Sequence, residues 1–367
     1  MMDGADPATV RTAFDRRDPL PGTRGFVGTL DGRPVRDVLG RYPLFVDGDA
    51  VATDPTGLDD PATVPPGTVD GERVWALPQP SPYEDLETAT AALVEAIQDA
   101  DPSDGRNVPA GRTAVAFSGG VDSAVTAALV DGPLYVVGFP GSHDREAARS
   151  AADRLGRELR EVEPSHDDLE RAVPRVAGAI ARTNAMDISI ALPLYLVAKR
   201  AAADGIDVLA LGQGVDECFG GYAKVATAPS DPRVDADTVA GARREVLETL
   251  PSQAERDVLA VRAGGVEPLA PLLHDGIVEE ALRLPGNALV GPDGTRKLAF
   301  RRAAHEFVPA DLADRNKKAM QYGSLISREL DRLARQAGFK RRMDDHVKKY
   351  VEDLMPDPSR AETDDNG

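Results

Sequence analysis

The sequence predicts an α/β fold centred on a parallel sheet, with a small β-rich N-terminal region and a helical C-terminal part. Three observations predict it. Between residues 112 and 222, short apolar runs alternate with helical patterns, the arrangement that covers both faces of a parallel sheet. Two of these runs, Arg112 to Phe117 (RTAVAF) and Ile206 to Leu211 (IDVLAL), lead directly into loops rich in Gly and Asp. Residues 1 to about 80 are rich in Gly, Pro and Asp with short β-like pieces, whereas residues 235 to 350 read as mostly helical.

Taken in order, the N-terminal region offers two β-like pieces between turn signals, Pro43 to Val46 and Arg73 to Leu77. The Pro/Ser stretch Pro78 to Pro82 marks a boundary. Residues 84 to 99 follow as a helix, with Leu86, Ala89, Leu93 and Ile97 at helical spacing. Residues 101 to 110 read as a polar loop. Then come a buried strand (Arg112 to Phe117), an Ala-rich helix (Ala124 to Val130) and a second strand (Pro133 to Phe139). An amphipathic helix with an acidic start (Asp144 to Gly156), a short strand (Arg160 to Val162), helices near 166–182 and 191–203, and the strand Ile206 to Leu211 complete the alternation. The expected divisions are therefore 1–80, a β-rich region; 81–110, a helix and linker; 111–350, the α/β domain; and 351–367, a polar, acidic, disordered tail.

Composition excludes several classes. At 42% hydrophobic residues, the 367-residue chain can supply a real core, yet it has no run of eighteen apolar residues to span a membrane. The N-terminal segment lacks the apolar stretch of a secretory signal. Cys218 is the only cysteine, which excludes an internal disulfide and a thiolate metal cluster and fits the cytoplasm. The net charge of −18 argues against nucleic-acid binding, which wants a basic face. Lysine is scarce, eight residues against thirty-five arginines, and this acidic, Arg-rich balance suggests a halophilic protein. The five histidines (143, 166, 274, 305, 346) show no metal-ligand spacing and read as packing or surface residues.

The loop Ser118-Gly119-Gly120-Val121-Asp122-Ser123 lies between the first strand and the next helix, an arrangement that makes an anion cradle. Glycines let the backbone turn tightly, and the first amides of a helix are donors carrying partial positive charge. Ser118 and Ser123 add hydroxyls. Asp122 would repel phosphate unless a divalent cation lay between them, so the loop reads as a site for Mg-bound phosphate or pyrophosphate. It is not the Walker-type loop, which has four residues between its first glycine and Gly-Lys-Ser/Thr. A Ser/Gly turn with Asp122 and Ser123 as helix caps is the plainer alternative.

A second loop, Gly212-Gln213-Gly214-Val215-Asp216-Glu217-Cys218-Phe219-Gly220-Gly221-Tyr222, follows the strand ending at Leu211. In a parallel sheet it emerges on the same edge as the first loop, so Asp122 and Asp216 can face one magnesium; Asp216 and Glu217 as caps of a short helix are the plainer alternative.

The first loop resembles the PP-loop of the ATP pyrophosphatases (the adenine nucleotide α-hydrolase-like fold), and the pair of loops resembles glutamine-dependent asparagine synthetases. The resemblance also takes in Ile190 to Lys199 (IALPLYLVAK), Val278 to Pro285 (VEEALRLP), Lys297 to Arg302 (KLAFRR), Val308-Pro309 and Arg315-Asn316-Lys317, covering residues 112 to about 325. It implies that Ser118, Gly119, Gly120, Asp122 and Ser123 hold the pyrophosphate part of ATP and that Gly214 lies near the nucleotide or acyl intermediate. It further implies that Asp122 and Asp216 bind Mg2+ and that Lys297 and Lys317 stabilise the departing pyrophosphate, with Lys318 as a substitute for Lys317. The implied activity is adenylation of aspartate to β-aspartyl-AMP, then transfer of ammonia to give asparagine, AMP and pyrophosphate.

Three departures bear on this. Family members that hydrolyse glutamine begin with a catalytic cysteine, whereas positions 2 and 3 here are Met and Asp. Residues 1 to 80 then read as a truncated glutaminase-like remnant, and ammonia, free or from a separate glutaminase, as the nitrogen donor. The family's Arg-x-Pro-Phe-Leu-Asp segment is replaced by Leu269-Ala270-Pro271-Leu272-Leu273-His274. Ala181 and Arg182 stand where the family has an acidic residue, leaving Asp187 as the nearest carboxylate to serve as base. Two other functions stay open: a PP-loop ligase for another carboxylic acid or amine, and a nucleotide-binding regulatory protein without turnover.

Overall fold

The computed structural model describes residues 2–100, 111–228, 238–315 and 324–356. Five parallel strands form the central sheet, in the spatial order Leu159–Val162, Leu134–Val137, Thr113–Ala116, Val208–Ala210, Glu267–Leu269. In chain order this is 3-2-1-4-5, so the direction of winding reverses between Thr113–Ala116 and Val208–Ala210. Ligands of open α/β sheets bind outside the carboxyl ends of the strands at such a reversal. The two Gly/Asp loops leave the carboxyl ends of these two strands.

Both faces are covered, as the apolar strands require. One core contains Val115, Phe117, Val121, Leu134 and Val136 and continues into the N-terminal region through Leu93, Ile97 and Trp75. The other sets Tyr135, Val137 and Leu209 against the helices His166–Ile180 and Ala185–Ala203. Ser165 and Asp168 form a capping box at the start of the first of these helices. Among the described residues, no helix is long and apolar enough to cross a membrane.

The fifth strand, Glu267–Leu269, lies inside the stretch read as helical. It is three residues long and contains Pro268, which donates no hydrogen bond and is tolerated because this strand is the sheet edge. The helix read as 191–203 begins at Ala185, where the Asn184 side chain accepts the Asp187 amide at 3.0 Å.

The N-terminal region is β-rich as expected, with two small antiparallel sheets. It also contains an unforeseen helix, Pro7–Arg16, capped by Asp6 and started by Pro7. The piece Arg73 to Leu77 is not a strand beyond Arg73. The Val74 and Trp75 amides donate to the Gly67 carbonyl, and Trp75 is buried, meets Phe26 edge-on and donates its indole N–H to the Ala13 carbonyl. The final helix, His346–Leu354, crosses the expected boundary at 350 because Tyr350 and Val351 are buried. The linker at 101–110 and the tail from 357 onward lie outside the described residues.

One buried ion-pair network bolts the N-terminal region to the α/β domain. Arg41 pairs with Asp37 (2.9 Å) and Asp275 (2.7 Å), and also donates to the Leu273 carbonyl at 2.8 Å. Asp275 in turn accepts the Thr23 amide at 2.7 Å.

Candidate active site

A cavity of about 540 Å3 opens where the sheet reverses. Ser118, Gly120, Asp122 and Ser123 line it from the first loop, Gly214 and Asp216 from the second, and Lys297 from a later turn. Gly119 does not line it. With φ +73 it makes the turn, and a Cβ there would strike the Ala147 carbonyl at 2.5 Å.

The first loop is ordered by its own hydroxyls. Ser123 Oγ donates to the Gly120 carbonyl (3.0 Å) and lies 3.3 Å from Ser118 Oγ. Gly120 caps the helix Val121–Leu129 with no side-chain hydrogen bond, so the first turn of that helix presents backbone amides at the loop. The two loops touch: a Cβ on Gly212 would lie 3.1 Å from the Ser123 nitrogen.

Asp122 and Asp216 converge on one cation, the Lys297 ammonium. Nζ lies 2.8 and 2.7 Å from the two Asp122 oxygens and 2.6 Å from Asp216 Oδ1. Burial works against this ammonium, but the Asp122 and Asp216 charges outweigh it and hold the Lys297 pKa above its ordinary value. The ammonium stands in for a cation between two carboxylates from separate loops, so the donor set suits Mg2+. Among the described residues no group of three or more His, Cys, Asp or Glu is placed to hold a metal. The remaining ligands of a hard cation would then be phosphate oxygens and water.

Asp187 sits elsewhere. It is absent from the cavity lining and is bound by Arg256 (3.0 Å), by the Asn184 amide (2.7 Å) and by Arg182. Burial opposes its charge, yet these partners prevail and lower its pKa. A carboxylate so stabilised in its charged form is a poor base, which argues against the proton-accepting role expected of it. Lys317 and Lys318 lie outside the described residues.

Several wall residues were not foreseen. Glu217 and Tyr222 come from the second loop, and Gln253, Arg256 and Asp257 from the helix Val239–Ala263. Burial pushes Glu217 up to about 7, against the hydrogen bond it accepts from the Tyr222 hydroxyl at 2.6 Å. Arg256 donates to Asp257 (2.7 Å), which also accepts the Gln213 amide at 2.9 Å. Arg315, quoted above only as part of a pattern, also lines the cavity and donates to the Ala147 carbonyl at 3.0 Å. Gln253, Arg256 and Asp257 do recur at helical spacing on the helix Val239–Ala263, but such a polar face reads in a sequence as a solvated one.

The family model described as asparagine synthase matches residues 106–245 and 230–366 of the chain. A putative glutamine-hydrolysing asparagine synthetase of Methanocaldococcus jannaschii is 30% identical over 266 residues, 63% of this chain and 49% of that protein. Asparagine synthetase B of Escherichia coli is 28% identical over 193 residues, 52% of this chain and 34% of that protein. The asparagine synthetase of Asparagus officinalis is 27% identical over 357 residues, 83% of this chain and 58% of that protein. The chain thus spans about half the length, or less, of the first two relatives.

Proposed function

The chain belongs to the asparagine synthase family, and on that premise we propose that it is an ATP-dependent amide ligase that converts aspartate to asparagine by way of β-aspartyl-AMP. One observation carries the proposal: Asp122 and Asp216, from the two loops at the sheet reversal, meet at a single cation position.

The first helix turn and the hydroxyls of Ser118 and Ser123 would bind the phosphates of ATP, and Asp122 and Asp216 would hold Mg2+. Bound Mg2+ would neutralise charge on the leaving pyrophosphate. An oxygen of the aspartate side chain attacks the α-phosphorus, and the bond from that phosphorus to the pyrophosphate oxygen breaks. Lys297, as an ammonium, stabilises the charge that develops on the pyrophosphate. Ammonia then attacks the acyl carbon, AMP leaves, and the nitrogen gives up a proton to a carboxyl on the wall. Glu217 is so placed and Asp187 is not. Exclusion of water from the acyl-adenylate would protect it from hydrolysis. The burial of Cys218, the one cysteine in the sequence, supports ammonia as the donor, arriving free or from a separate glutaminase.

ATP–pyrophosphate exchange with a panel of carboxylic acids tests this. Exchange that depends on aspartate is expected. Exchange with a different acid would move the chain to another ligase, and none with any acid would leave a nucleotide-binding regulator.

A further inference from the structure

The cation between Asp122 and Asp216 is part of the chain itself. The Lys297 side chain is 9% exposed, and its ammonium is within 2.8 Å of three carboxylate oxygens on two loops. Its backbone is left-handed (φ +59), a conformation that costs a residue with a Cβ, at the start of the helix Leu298–Ala304. Arg301, one turn along that helix, donates to the Arg296, Ala313 and Arg315 carbonyls, which fixes the base of Lys297, and the four-carbon stem is the part of the residue with rotatable bonds.

An ammonium and a divalent cation cannot share one pair of carboxylates at these distances. Resting on the ligase reading for the identity of the metal and nucleotide, we propose that Lys297 is the resident counter-cation of the metal position: it occupies the position between Asp122 and Asp216 in the nucleotide-free protein and gives it up only when metal and phosphates arrive together. Without nucleotide, displacing Lys297 would strand a buried ammonium, a large cost. With nucleotide, the phosphates receive the displaced ammonium, so the same side chain that closed the site is delivered to the leaving group. Metal uptake is thereby coupled to nucleotide, and the two carboxylates do not repel each other apart in the empty protein.

Mn2+ binding to the full chain, followed by electron paramagnetic resonance without nucleotide, tests the inference. The unaltered chain should bind Mn2+ weakly, and Lys297→Met should bind it at least tenfold more tightly. Lys297→Gln should behave like Lys297→Met, which guards against a folding defect in one variant, and thermal unfolding of each checks that it is folded. Adding Asp216→Asn to Lys297→Met should remove the gain and so place the metal at this site. With an ATP analogue carrying a methylene bridge between the α and β phosphates, the unaltered chain should recover tight Mn2+ uptake. Equal nucleotide-free affinities in the unaltered and Lys297→Met chains, with normal uptake in the presence of the analogue, would overturn this inference alone. No uptake by any chain with the analogue would overturn the ligase reading and this inference with it.

Discussion

Leu273 occupies the space where a side chain on Gly214 would stand: a Cβ built on Gly214 lies 2.1 Å from Leu273 Cδ2. Gly214 also has φ +89, a region that disfavours any residue with a Cβ. Its absent side chain therefore lets the second loop lie flat on the segment 271–273, immediately before Asp216. Gly214→Ala should destabilise the protein by about 2–4 kcal/mol, from backbone strain and overpacking together, and weaken nucleotide uptake. Adding Leu273→Ala should recover the packing part but not the backbone part. Urea unfolding and calorimetry with Mg-ATP measure both; a Gly214→Ala chain as stable as the parent would refute the contact.

Arg41 reaches the same segment from the other side. Its guanidinium, 2% exposed, compensates Asp37 and Asp275, which are buried completely or nearly so. Removing one partner of a buried pair leaves an uncompensated charge, so Arg41→Leu should cost about 3–5 kcal/mol. Asp275→Asn added to Arg41→Leu should restore part of that loss. Urea unfolding is again the measurement, and additive effects of the two substitutions would argue against the network.

Much of this architecture was legible in the sequence, and for definite reasons. Ser118 to Ser123 and Gly212 to Tyr222 were legible because special backbone conformations and carboxylates demand particular residues at particular positions. Leu134–Val137 and Val208–Ala210 were legible because a doubly covered strand must be apolar throughout. Glu267–Leu269 was not, because three residues with a proline at the centre look like a loop until a neighbouring strand pairs with them. Gln253, Arg256 and Asp257 were hidden because their value lies in facing the cavity, and that depends on how the helix Val239–Ala263 packs on Ala185–Ala203. The partners of Asp187 were not legible, because nearness in sequence to the expected position says nothing about Arg256, sixty-nine residues away, which binds its carboxylate.

Asp122 should matter to turnover more than to folding. Asp122→Asn keeps the size and a hydrogen-bonding group near Lys297 but removes one of two anionic cation ligands. Aspartate-dependent AMP release should fall by roughly 100-fold or more, the usual loss when one charge-stabilising group of a site is removed. The melting temperature should also fall, because Asp216 alone is left to compensate the buried Lys297 ammonium, so AMP release is compared at a temperature where both chains are folded. AMP release by Asp122→Asn within a few-fold of the parent would remove this carboxylate from the reaction.

Cys218 is buried in the core, and burial pushes its thiol up to about 12. Only the thiolate reacts with alkylating agents, and an ordinary thiol has a pKa of about 8.5. The folded protein should therefore resist iodoacetamide at pH 8, while the urea-unfolded chain takes one equivalent. Because the folded thiol resists ionisation, its contribution to stability is complete below about pH 8.5 and is lost as pH rises toward 12, by roughly 1.4 kcal/mol per pH unit. Modification of the native protein at the unfolded rate would show that the thiol is accessible. Mass spectrometry reads the outcome directly.

Salt dependence follows from charge that pairing does not consume. Many surface acids are matched, as in Arg149–Glu161, Arg154–Asp311 and Arg341–Asp331. Acidic residues still exceed basic ones, 61 against 43, so the folded chain carries a net repulsion. Salt weakens the surface pairs and the repulsion alike, with a screening length of about 10 Å at 0.1 M and about 3 Å at 1 M. Exposed pairs contribute about 0–1 kcal/mol each, whereas the excess charge acts over the whole surface, so relief of repulsion should prevail. At roughly 2–4 °C per kcal/mol, a few kcal/mol of relief should raise the melting temperature by about 5–10 °C between 0.1 and 2 M KCl. Scanning calorimetry across that range decides between the two terms: a melting temperature that falls with KCl would mean that the pairs dominate, and the halophilic reading would fail.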